Sequence, residues 1–256
     1  MKKILMIITS LVILLPLLLC GCSSETPTTS TPATRIITDL IGRTVEIPDT
    51  VDKVATFVGP SYDKVFMLGE KDKVAMVGFP QSPWAQLLNP DLANIPTATN
   101  AKSPNIEELV KLDIDVVFTW DTAEPLQAMS NADIPALAAL GSSTTPTSAE
   151  MYVDAMKKEV NLCAEVLGSD AQTRAAKYCN YLDSVIERVT SVTSKLADNE
   201  KPNVYYIRGP EVLSTHGKYS NTRWYVEMAG GNMVKTWSKV FPWSILSRLL
   251  PGIRTS

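Results

Sequence analysis

From Ile36 to Ile207, short β-rich apolar runs alternate with stretches in which apolar residues recur every three or four positions. That alternation predicts an α/β fold with parallel strands. Five runs read as strands: Val54–Val58, Val74–Val77, Val116–Thr119, Ala136–Leu140 and Val204–Ile207. They lead into Gly59-Pro60-Ser61-Tyr62, Gly78-Phe79-Pro80-Gln81-Ser82-Pro83-Trp84, Trp120-Asp121-Thr122, Gly141-Ser142-Ser143 and Arg208-Gly209-Pro210. Ligands of open α/β sheets bind beyond the carboxyl ends of the strands, so these loops are the segments expected to touch one. Between the fourth and fifth runs the β signal stops. Ser148 predicts the cap of a helix running to Leu167, which Gly168 ends, and a second helix is expected from Asp170 to Ala197. Its apolar stripe is Ala175, Cys179, Leu182, Ile186, Val189, Val192 and Leu196. At 1.5 Å per residue it reaches about 40 Å, enough to lie along two lobes, join them and restrict their relative motion.

The amino terminus follows different rules. Lys2 and Lys3 precede the apolar run 4–20, broken only by Thr9, Ser10 and Pro16, which is the layout of an export signal. The run is slightly short of the roughly 20 apolar residues of a spanning helix. Leu19-Cys20-Gly21-Cys22 resembles a bacterial lipobox, in which removal of residues 1–21 leaves Cys22 to carry lipid; an uncleaved helical anchor is the alternative. Residues 22–35 then form a Ser/Thr/Pro-rich tether, too poor in apolar surface to offset its ordering entropy. The expected location is the extracytoplasmic face of a cell membrane, held by lipid.

Charge narrows the partners. The chain has 24 basic and 27 acidic residues, and loss of Lys2 and Lys3 with the signal takes the net charge from −3 to −5. A nucleic-acid binder presents a basic face, and none is offered before the last segment. Cys163 and Cys179 are the cysteines left beyond the amino-terminal pair. They form either a disulfide, which an exported protein permits, or two small apolar fillers of helical stripes.

Residues 37–79 carry a resemblance. Asp39, Gly42, Arg43, Val45, Ile47 and Pro48, then Leu68-Gly69, are similar to the opening of the substrate-binding lipoproteins that serve ABC importers of iron–siderophores, haem and cobalamin. The likeness returns at Asn105-Ile106-Glu107-Glu108-Leu109, at Leu112-Asp113-Ile114-Asp115-Val116-Val117, at Ile134-Pro135-Ala136 and at Glu227-Met228-Ala229-Gly230-Gly231-Asn232. The family usually has Pro-Asp where Ile114-Asp115 stands. The resemblance implies a β-hairpin ahead of the first strand and two Rossmann-like lobes joined by one long helix. The lobe boundaries would be 36–147 for the first, 148–200 for the helical region and 201–256 for a partial second. It further implies a monomer that hands an iron chelate, or a corrinoid or haem, to an ABC permease, with Glu107 on the surface that docks there.

Candidate contacts come from the strand-end loops. Tyr62, Trp84 and Trp120 offer aromatic faces to a flat or catecholate ligand, with core packing as the plain alternative. Arg208 could grip an anionic oxygen, or be an ordinary solvated arginine. His216, the single histidine, is expected in an exposed polar loop rather than as an axial haem ligand. No cluster of histidines and carboxylates suggests a metal site, no cofactor is expected, and neither a Gly-x-Ser-x-Gly elbow nor a Walker loop supports an enzyme. A surface hydrolase is the remaining alternative class.

The last stretch departs from the resemblance. From Met233 onward come four basic residues, two tryptophans and no acid. Val240-Phe241-Pro242-Trp243-Ser244-Ile245-Leu246 fills the slot where the family starts a helix with a second docking glutamate, and Trp243 replaces the acid. Two expectations stand for 240–256: a shifted reading frame that leaves the second lobe incomplete and inactive, or an amphipathic tail resting on a membrane.

Overall fold

The structure is a computed structural model, and it describes residues 33–58, 61–140, 145–208, 215–216 and 220–233. Cys22, the signal segment, nearly all of the tether and the tail 240–256 lie outside them. The chain divides after Ala33, and Thr34 and Arg35, expected in the tether, already belong to the first strand.

Strands β1 (Thr34–Thr38) and β2 (Thr44–Pro48) form the expected antiparallel hairpin, with Thr34 opposite Pro48 and Thr38 opposite Thr44. Asp39 at its turn is buried. Its carboxylate accepts from the backbone N–H groups of Ile41 and Arg43, from the Arg43 guanidinium at 2.7 and 2.9 Å, and from the Ala138 N–H at 3.2 Å. Arg43 also donates to the Ala136 carbonyl. One carboxylate thus closes the turn and fastens the hairpin beside the strand that contains Ala136 and Ala138.

The main sheet is parallel and four-stranded, in the order β4-β3-β5-β6. Its strands are β3 (Val54–Thr56), β4 (Val74–Val77), β5 (Val116–Trp120) and β6 (Ala136–Leu140). Helices lie between consecutive strands: α1 (Ser61–Met67), α2 (Pro83–Leu88), α3 (Ile106–Leu112) and α4 (Ala123–Ser130). Successive side chains of a strand point to opposite faces, and both faces here are covered. Val54, Val116, Phe118 and Leu137 share one core with Val65 of α1, whereas Ala55, Val117 and Ala136 share another with Leu109, Leu126 and Met129 of α3 and α4. That double burial explains why β5 and β6 are continuous apolar runs.

Two long helices follow. α5 (Ala149–Leu167) starts at Ser148, whose hydroxyl accepts from the Met151 N–H, and α6 (Ser169–Thr193) begins immediately after Gly168. Gly168 turns the chain with φ +112°, a backbone angle that side chains resist. The helices then run back along each other, since Lys157 pairs with Asp183 at 2.8 Å and Cys179 lies opposite Asn161. Cys163 and Cys179 are both free, so the disulfide alternative is not realised. Burial pushes the Cys163 thiol up to about 12.

α6 reaches from one sheet to another. Ala171 and Ala175 pack in the first core, while Thr193, 25 residues into the helix, donates to the Met228 carbonyl at 2.8 Å. It stops four residues short of the expected Ala197. The run Thr190-Ser191-Val192-Thr193-Ser194 accounts for this, because hydroxyls that bond nearby carbonyls, as Thr190 and Ser191 do, compete with the helix ladder.

The second sheet, among the described residues, is a parallel pair, β7 (Asn203–Val204) and β8 (Asn232–Met233), crossed by helix α7 (Asn221–Met228). The expected strand Val204–Ile207 is corrected. Among the described residues, ladder bonds exist only where Asn203 and Val204 face Asn232 and Met233, and Tyr206 and Ile207 are exposed. The stripe on α6 fares likewise: Ala175 is buried, but Val192 is 65% exposed.

Candidate functional site

All four strands of the main sheet point the same way, so the segments after them share one edge. Gly78 ends β4 there, and its N–H donates to the Thr56 carbonyl. A Cβ at Gly78 would stand 2.6 Å from the Phe57 carbonyl oxygen, so only glycine lets the two loops touch. The close approach sets Phe79 beside Trp120, the last residue of β5: the rings meet edge to face, 5.9 Å apart at 79°. Phe79 is 43% exposed, so this pair forms an aromatic surface at the carboxyl edge.

Ser82 caps α2 by accepting from the Ala85 N–H, with Pro83 in the first turn. The helix then presents Trp84, Leu87 and Leu88, all exposed, at i, i+3 and i+4. Trp84 is 75% exposed, well clear of any core. Tyr62 behaves otherwise. Its ring packs on the first core and meets Phe66 edge to face at 6.0 Å. Burial, followed by the neighbouring Asp63 carboxylate, raises its phenol above the usual range. Burial also raises Asp63, against the hydrogen bond from Tyr62. Of the three aromatic candidates, then, Trp120 sits in an aromatic pair, Trp84 stands exposed and Tyr62 is committed to packing.

Glu107 is exposed in the first turn of α3, where its N–H donates to the Asn105 cap. A carboxylate there also complements the helix dipole. Arg208 is exposed beyond β7. Near it lies an arrangement the sequence did not suggest: the Tyr206 and His216 rings stack at 5.0 Å and 29°. His216 is half-buried rather than in an exposed loop, and its Nδ1 shares a hydrogen bond with the Thr222 hydroxyl. Tyr206 escaped notice because it reads as strand interior. An aromatic residue and the lone histidine flanking one crossover were the available signal. Among the described residues no group of three or more histidines, cysteines and carboxylates could hold a metal ion.

Comparisons with known proteins agree with this architecture. A curated relative, the molybdate-binding protein MolA of Haemophilus influenzae, is 26% identical over 239 residues, covering 83% of this chain and 64% of its own. The solved structure of MolA bound to molybdate superposes with a TM-score of 0.68 at 23% identity, over 78% of this chain and 65% of that one. The iron-uptake substrate-binding protein PiuA of Streptococcus pneumoniae gives 0.60 at 16% identity, over 79% and 68%. The petrobactin-binding protein YclQ of Bacillus subtilis gives 0.59 at 16%, over 78% and 67%. These likenesses show the fold, and the chain spans slightly less than two thirds of the MolA length. The family profile described as periplasmic binding protein matches residues 54–236, well over half of the chain, and the chain therefore belongs to the periplasmic binding protein family.

Proposed function

We propose that the whole protein captures a ferric siderophore or related iron chelate outside the cytoplasm and delivers it to an ABC permease. The observation that carries this reading is the Phe79–Trp120 pair at the carboxyl edge of the main sheet. Stacking on such a surface needs area more than exact hydrogen-bond geometry, and aromatic contacts contribute about 0.5–1.5 kcal/mol each beyond burial. In this reading Trp120 and Trp84 bear on the chelate, Tyr62 stays in the first core as packing, and Arg208 pairs with its anionic oxygens. Glu107 meets a basic residue of the permease. Cys22 carries the lipid that keeps the protein at the membrane, where a monomer suffices. The family's members are solute binders, so no catalytic residue is assigned.

A second reading has its own support. The MolA relative binds molybdate, a small oxyanion of a metal, so molybdate competes with the chelate as the solute. Corrinoid and haem are further arms of one test: titration of the intrinsic tryptophan fluorescence with ferric catecholates, cobalamin, haemin and molybdate. Saturable quenching by a ferric chelate at micromolar concentration is expected, with Trp120→Ala weakening it about tenfold. A response to molybdate alone selects the second reading, and silence from every solute removes both.

A further inference from the structure

His216 is the single histidine of the chain, and three parts of one crossover unit hold it. Tyr206 follows β7 by two residues, His216 lies in the connection, and Thr222 stands in the first turn of α7. In a parallel β-α-β unit the loop after the first strand and the amino end of the helix lie at the carboxyl edge of the sheet, where this class of fold meets its ligands. The stacked Tyr206 ring sets the plane of the imidazole. Thr222 occupies Nδ1. A histidine tied down through one nitrogen offers the other in a defined direction, and among the described residues nothing hydrogen-bonds Nε2.

We propose that His216 is a specificity-determining solute contact, its Nε2–H donating to a negatively charged oxygen carried on a metal centre. The inference rests on the solute-capture reading above. The ferric chelate and molybdate weighed there both surround their metal with oxygen, so the surface they offer a protein is made of acceptors, which a donor matches. In this proposal the Thr222 hydroxyl is the donor and Nδ1 the acceptor of the bond they share, which keeps the ring proton on Nε2. Arg208, exposed two residues beyond Tyr206, brings charge to an acidic protein, and His216 brings direction.

With one histidine in the chain, the full protein labelled with 15N-histidine yields a single imidazole signal set that needs no assignment. The probes are sodium molybdate and a gallium(III) tris-catecholate, both diamagnetic, at about pH 8. The expected result is the Nε2–H tautomer in the free protein and a shift of that resonance on saturation with one probe, which identifies the source of the oxygen. His216→Phe keeps the stack without the nitrogen and is expected to weaken binding at least tenfold with an unchanged circular dichroism spectrum. Thr222→Val is expected to mix the two tautomers. Imidazole resonances that stay still while calorimetry reports saturation, or a His216→Phe protein that binds within twofold of the native one, overturn the inference and leave solute capture standing. If calorimetry detects no binding of either probe, or of the ferric, corrinoid and haem solutes, by the native chain, the capture reading fails and this contact fails with it.

Discussion

The sheet β4-β3-β5-β6 and the pair β7–β8 obey the same parallel geometry but are held in different ways. In the first, five residues of β5 run through two buried cores, and helices cover both faces. In the second, two residues of each strand face each other, and much of the apolar surface around them, including Tyr206, Ile207 and Val192, is exposed. What ties the second unit down is a set of individual contacts. The Tyr152 and Tyr225 hydroxyls lie 2.8 Å apart with their rings edge to face, and Thr193 reaches the Met228 carbonyl. Burial, reinforced by Tyr225, raises the Tyr152 phenol well above its usual range, so Tyr152 keeps its proton at any physiological pH. Among the described residues, the difference ties parallel pairing to burial: the ladder is long where two cores flank it and short where Tyr206 and Ile207 lie exposed. It also separates roles, with a rigid platform carrying Trp120 and a lightly held crossover carrying His216.

The comparison breaks most easily in the platform. Phe118 is fully buried on β5, so Phe118→Ala should destabilise by about 3–5 kcal/mol through lost burial and a residual cavity. Val204→Ala, the corresponding cut in β7, should cost less than about 1.5 kcal/mol, because that side chain is only partly covered. Urea unfolding of the two variants measures both, and equal losses would erase the distinction.

Asp39→Ala comes next. It strips the hairpin turn of its acceptor and leaves the Arg43 guanidinium and the Ala138 N–H without that partner. Arg43 is partly exposed, so water replaces some of the loss; about 2–3 kcal/mol is expected. Faster hydrogen exchange confined to β1, β2 and β6 would place the damage at that fastening. Uniform acceleration across the sheet would refute it.

Tyr152→Phe removes one hydroxyl from the junction of α5 and α7 and should cost about 1 kcal/mol, near the net value of one hydrogen bond. Its sharper signature is local. Amides of α7 should exchange several-fold faster while those of β5 do not change, and parallel changes in both would mean that the two units unfold as one.

Much of this was legible in the residues alone. β4 and β6 match their expected bounds, the hairpin forms at Asp39-x-x-Gly42-Arg43, and Ser148 caps its helix. These features depend on neighbours a few positions away, where periodicity, cap chemistry and turn residues act directly. The site was legible only in part. Trp120 closes β5 and Trp84 opens α2, next to the strand ends where they were expected, but Tyr62 packs inward, and nothing local says so.

The chain by itself therefore determined the α/β order, the presence of a long helix beginning near Asp170 and the strand-end loops, because each follows from short-range patterning. Only the tertiary structure decided that Phe79 meets Trp120, that Tyr206 and Thr222 grip His216, and that β7 stops after Val204. Those outcomes depend on which distant backbone approaches closely enough to pair or pack. Such an approach is set by the summed burial of the whole core, and no single window of residues contains it.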